Sequence, residues 1–170
     1  MVCGMSSSNA FKPPVINGVG HSTVGIPANT TLSAIDFLTA KFSAISREEW
    51  LSRFETGQIL NAAGRVMAPQ DSLHNQSHLH YYRSIRNEPE LPFKATVIFQ
   101  DEFLVVADKP HFMPVTPGGR YVQQSLLVQL KQQLKLPELS PVHRIDRETA
   151  GLVVFSVRAK DRNAYQELFR

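Results

Sequence analysis

The chain has 170 residues, 42% of them apolar and 19% charged, with a formal net charge of +3. This balance is ordinary for a globular protein, nothing in it resembles a basic tail, and a single cysteine (Cys3) excludes a disulfide framework within one chain. No apolar run approaches the roughly 18 residues that span a bilayer, and residues 1–14 lack the apolar core of a secretory leader, so a cytoplasmic protein is expected.

The charge is unevenly placed. Residues 1–90 hold 7 Lys and Arg against 7 Asp and Glu, whereas residues 91–170 hold 11 against 8. A cationic surplus in the second half suits a polyanionic partner.

Residues 1–29 are rich in Ser, Asn, Gly, Pro and Thr, with isolated apolar side chains, and read as a flexible arm. Thr30-Thr31-Leu32-Ser33 resembles a helix start, and Ile35, Phe37, Leu38 and Phe42 follow at helical spacing. Ser46 and Glu49 have capping-box spacing and open a second short helix with Trp50, Leu51 and Phe54 inward. Gly57 suits a left-handed cap. A strand over 58–61, a turn at Ala63-Gly64 and a returning strand over 65–67 complete a small hairpin. Residues 30–82 are therefore expected to form one small domain. Within it His74, His78 and His80 suggest a metal site, but no cysteine or acidic partner stands at ligand spacing, and a solvated loop is the better reading. Tyr81, Tyr82 and Arg83 could stack on bases, although packing of the rings on a core is favoured.

Residues 83–92, with Pro89 and Pro92 among charges, read as a linker. Residues 95–99 and 103–107 then form two apolar strands around a turn at Gln100-Asp101-Glu102, and Lys109-Pro110 stops the second. A loop follows over 114–119. Its Gly118-Gly119, before Arg120, could cradle a phosphate, with a simple turn at least as suitable. Leu126, Leu127, Leu130 and Leu134 make one stripe of a helix over 125–136, closed by Pro137. A polar loop over 140–150, an apolar strand over 151–157 and a helix from Asp161 to Phe169 complete the chain.

The polar loop packs His143, Arg144, Asp146, Arg147 and Glu148 between an apolar helix and an apolar strand. Charges there are costly unless paired or used. A carboxylate flanked by Arg144 and Arg147 would stay ionised, as a nucleophile or base requires. On the residues alone, a structural ion-pair cluster also remains open.

His143-Arg144-Ile145-Asp146-Arg147-Glu148-Thr149-Ala150-Gly151 resembles the signature of the RluA-type pseudouridine synthases: His-Arg-Leu-Asp, two variable residues, Thr-Ser or Thr-Ala, then Gly. Ile145 replaces the leucine. Upstream, residues 103–110 resemble the family's strand ending in Lys-Pro, and residues 114–119 its following loop, in the same order and spacing. The resemblance implies that residues 93–170 are the first part of a mixed or antiparallel-sheet catalytic domain. Residues 30–82 resemble, more weakly, the small α/β alpha-L RNA-binding domain that often precedes it. An α+β fold is expected overall.

What the resemblance implies chemically is isomerisation of particular uridines in ribosomal or transfer RNA to pseudouridine. Asp146 would be the catalytic aspartate. Arg144, His143 and Arg147 would contact RNA, and Thr149 and Gly151 would shape the turn. RNA is the implied partner, with no metal and no small-molecule cofactor. The family's catalytic domain continues beyond a point equivalent to Arg170, supplying a stacking tyrosine and a basic partner for the aspartate. A truncated, inactive RNA-binding remnant is the alternative.

Overall fold

The computed structural model describes residues 11–85 and 87–169, so residues 1–10 of the terminal arm, Cys3 among them, lie outside the described residues. The chain divides into two units, residues 1–14 with 20–83, and residues 15–19 with 84–170.

The first unit contains β1 (His21–Gly25), α1 (Ala34–Lys41), α2 (Arg47–Glu55), β2 (Ile59–Asn61) and β3 (His78–Tyr82). Both helices begin where a serine can cap them: Ser33 Oγ accepts from the Asp36 amide at 3.3 Å and Ser46 Oγ from the Glu49 amide at 3.2 Å. The Glu49 carboxylate does not complete the capping box; it binds Arg53 one turn onward. Gly57, at φ +68°, turns the chain out of α2. Ile35, Leu38, Trp50, Phe54, Ile59, Met67, Leu79 and Tyr81 form one buried cluster.

The strands of this unit differ from the reading of the sequence. The sheet runs β1-β3-β2, all antiparallel. Its first strand comes from the stretch read as an arm. Only Val24 of β1 faces the core, so no apolar alternation marks the strand, and backbone pairing with β3 supplies what the side chains do not. Residues 65–67 do not return as a strand; they make a single bridge, Leu60 to Val66. The place beside β2 is taken by β3, on which His78 and His80 stand in the ladder instead of a solvated loop. His80 is buried, its ring against those of His21 and His78 and its Nδ1 2.9 Å from Thr23 Oγ1. Tyr81 packs against Trp50 and Phe42, and the Tyr82 hydroxyl donates to the Pro14 carbonyl, so both rings serve the fold.

The second unit contains β4 (Thr96–Gln100), β5 (Leu104–Lys109), α3 (Leu126–Leu134), β6 (Ser140–Pro141), β7 (Gly151–Ser156) and α4 (Arg162–Glu167). The sheet order is β4-β5-β7-β6, antiparallel throughout. Val105, Ala107, Val153 and Phe155 point to one face, where Leu126 and Leu130 of α3 cover them together with Met113, Val115 and Leu139. The Asp101 carboxylate accepts from the amides of Phe103 and Leu104 and so builds the β4–β5 turn. Lys135 ends α3 in a left-handed conformation, two residues before Pro137. The segment read as a linker is tied down: the Glu88 carboxylate accepts from the amides of Val122, Gln123 and Gln124, at 2.6, 2.9 and 2.7 Å, just before α3. Helices and antiparallel strands succeed one another without parallel crossovers, which makes the fold α+β.

Candidate active site

Side chains along a strand alternate between faces. On β5 this places Val105, Ala107 and Lys109 on the buried side. The first two enter the core, and the third carries a charge there. Lys109 is fully buried. Its Nζ donates to the carbonyls of Pro110 (2.9 Å), Met113 (2.8 Å) and Arg147 (3.1 Å), which matches the three donors of an ammonium group. Burial pushes its pKa down, and the Glu148 carboxylate opposes that push.

The bond to Arg147 fixes the backbone of the loop beyond β6. A second tie lies one residue on, where His111 Nδ1 stands 2.7 Å from the Glu148 carbonyl. A carbonyl only accepts, so Nδ1 carries the proton. Within the loop the Thr149 amide donates to the Asp146 carbonyl at 3.1 Å, closing a tight turn. Gly151 follows at φ +141°, a conformation that side-chain-bearing residues rarely adopt. Thr149 and Gly151 thus occupy the turn immediately after Asp146.

Ile145 packs against the core, and its neighbours Arg144 and Asp146 face out. They border an open cleft of about 580 Å³ lined by Pro114, Val115, Thr116, Arg144, Ile145, Asp146 and Arg147. Among the described residues neither the Asp146 carboxylate nor the Arg144 guanidinium makes a hydrogen bond or ion pair. The expected flanking of Asp146 by two arginines is therefore not what the loop builds. Arg147 turns to Glu148, with Nη2 2.7 Å from the carboxylate, and its guanidinium lies 5.9 Å from the Tyr121 ring centre. Hydrogen bonding between the two raises the Arg147 pKa and lowers that of Glu148. The ion pair leaves Asp146 unengaged beside Arg144.

His143 points away from the cleft. Its Nε2 accepts from the Val154 amide of β7 at 3.2 Å, and its ring stacks on Phe169 at 4.7 Å. Burial lowers its pKa. Gly118, Gly119 and Arg120 form a simple turn closed by paired bonds between Gly118 and Tyr121. Among the described residues no group of His, Cys, Asp and Glu is arranged to hold a metal ion.

Sequence reasoning named Lys109 only as a strand stop and as part of a family segment, not as a residue that holds the loop, and did not name His111. Lys109 was legible in one respect: it continues the inward parity of Val105 and Ala107, so a buried charge at the strand end follows from the alternation. Nothing in the local sequence marks His111.

Residues 103–170 match the family model described as RNA pseudouridylate synthase. The chain is 35% identical over 136 residues to an uncharacterized RNA pseudouridine synthase of Synechocystis sp., a match covering 80% of this chain and 46% of the relative. It is 32% identical over 135 residues to RNA pseudouridine synthase 5 of Arabidopsis thaliana, covering 74% and 36%. Among solved structures, human RNA pseudouridylate synthase domain containing 4 matches at 35% identity over 44% of this chain and 29% of that one, with a TM-score of 0.37. The chain spans less than half the length of these curated relatives. By its matched segment and the motif around Asp146, this chain belongs to the RluA-type RNA pseudouridine synthase family.

Proposed function

We propose that this chain carries the catalytic aspartate of an RNA pseudouridine synthase acting on structured ribosomal or transfer RNA. The observation that carries the reading is the Asp146 carboxylate, exposed and unengaged in an open cleft beside Arg144. The reaction breaks the bond between N1 of the base and C1′ of the ribose, turns the base and joins C5 to the same carbon, with the C5 proton released and a proton taken up at N1. It is an isomerisation and consumes no redox equivalent. Asp146 supplies the carboxylate that acts at the sugar, as nucleophile or as base. Its neighbours suit that role, because Lys109 and His111 hold the loop backbone at residues 147 and 148, while Glu148 keeps Arg147 from neutralising the aspartate.

The target uridine must leave its stack to reach the carboxylate, at a cost of a few kcal/mol that is smallest in loops and at weak pairs. Arg144, which lines the same cleft, takes the vacated space in this reading. His143, bonded to β7, acts on RNA only through the loop it supports. The first unit, with two helices before its β2 and β3, serves as the RNA-binding domain. Its contribution to affinity is modest, because Arg47, Arg53 and Arg65 are already paired with Asp36, Glu49 and Asp71.

The test is tritium release from ribosomal and transfer RNA transcripts labelled at uracil C5. Release by the wild-type chain, and none by Asp146→Asn or Asp146→Ala at unchanged melting temperature, is the expected result. Turnover by either variant at the wild-type rate would falsify the assignment of Asp146.

A further inference from the structure

We propose that Phe112 is an RNA-contact residue, a fixed aromatic ledge on which an unpaired base stacks beside the cleft of Asp146. The inference rests on the reading of that cleft as an RNA-modifying site. Five non-glycine residues with positive φ are described: Asn17, Asn29, Asn75, Phe112 and Lys135. Asparagine tolerates this region through local hydrogen bonds, and Lys135 is the left-handed cap of α3. Phe112, at φ +65°, has neither reason. A bulky ring there is disfavoured and persists only where the surroundings over-determine the backbone.

The strain is not offset by burial, because 51% of Phe112 is exposed. The turn that imposes it is held from three points. Lys109 Nζ binds the carbonyls of Pro110 and Met113, one on each side of the His111-Phe112 pair. His111 binds the Glu148 carbonyl of the loop that carries Asp146. The exposed His111 ring lies 6.0 Å from that of Phe112, extending the aromatic surface. The wall of the cleft begins two residues on, at Pro114. The fold therefore presents a rigid, solvent-facing π-surface at a fixed place relative to the catalytic loop, with no partner among the described residues that accounts for it.

An unpaired base is the ligand that such a surface fits. Every base offers a flat π-face, and stacking on an aromatic side chain needs no further donor or acceptor. A site that works on an extruded uridine also has unpaired neighbours at hand. In this placement Phe112 holds the RNA next to the target and takes no part in the chemistry.

The experiment measures binding of the 170-residue chain and its variants to a labelled RNA stem–loop with unpaired uridines, and to a full duplex of the same length. Phe112→Gly is expected to weaken stem–loop binding about tenfold, the scale of one lost base stack. It should leave duplex binding within about twofold and should not lower the melting temperature, since glycine relieves the positive φ. Phe112→Trp should retain stem–loop affinity, and Phe112→Leu should lose it as glycine does. Equal binding by Phe112→Gly and wild type, or equal losses on stem–loop and duplex, would overturn the ledge. If the wild type binds neither RNA, the reading of the cleft falls and the ledge falls with it. If the wild type binds the stem–loop and Phe112→Gly does so unchanged, only the ledge falls.

Discussion

Lys109 holds the loop of Asp146 by donating to three neutral carbonyls from a fully buried position. A buried ammonium is tolerable only when each of its protons finds an acceptor. Lys109→Met keeps an unbranched side chain, one atom shorter, and removes every donor, leaving the Pro110, Met113 and Arg147 carbonyls without this partner. The expected loss of stability is about 2 kcal/mol or more, read from urea unfolding, with faster amide exchange over residues 147–149 and lower pseudouridine formation. An unchanged exchange rate in that loop would show that the clamp does not hold it. At this scale the sequence was informative about the motif that holds Asp146 and uninformative about its support. Asp146 stands in a motif whose spacing is local, whereas the bonds by which Lys109 and His111 hold its loop reach residues 147 and 148, nearly forty positions away. The flanking arginines were misjudged for a related reason. Proximity in sequence put Arg147 beside Asp146, but the turn of the loop carries its guanidinium toward Glu148.

At the scale of elements, β6 is only two residues long, and His143 extends its work. The Val142 amide donates to the Val154 carbonyl, and the Val154 amide donates to His143 Nε2, so the ring takes the place of the next carbonyl in the ladder. A protonated ring could not accept that bond. With its folded pKa below the ordinary value of 6.5, the histidine binds fewer protons folded than unfolded. Its contribution to stability is therefore fully present above about pH 6.5 and is lost as pH falls through the folded value. His143→Gln keeps an acceptor and removes the titration, so urea midpoints measured from pH 7 to pH 5 should fall less steeply in the variant. His21 and His80 are also lowered by burial, but they remain in both proteins and cancel in the difference. Identical slopes would exclude His143 as a source of the acid sensitivity. Elements that announce themselves by caps or apolar runs, such as α2, β5 and β7, were legible. The strands β1 and β3 were not, because histidines and small polar residues alternate there with the core residues, and pairing between distant segments decides the outcome.

At the scale of the whole molecule, the sheet of the second unit ends on β4, with Ile98 and Phe99 59% and 50% exposed. The register shifts between Val97 and Phe99, so Ile98 sits on a bulge. An exposed apolar edge invites pairing with another chain, and a bulge is only a partial defence. Ile98→Lys should reduce concentration-dependent light scattering while changing stability by less than about 0.5 kcal/mol. Scattering equal to wild type would place the association elsewhere.

Trp50 is the only tryptophan of the chain and is fully buried, with the Phe42 and Tyr81 rings 5.6 and 5.5 Å away and the Arg53 guanidinium 4.7 Å from its own ring centre. Its fluorescence is thus an intrinsic dye confined to the first unit. An unfolding curve followed at its emission wavelength reports from that unit, whereas the unit that holds Asp146 contributes only the shorter-wavelength emission of Tyr121 and Tyr165. A tryptophan introduced at Phe112 would give the second unit a colour of its own.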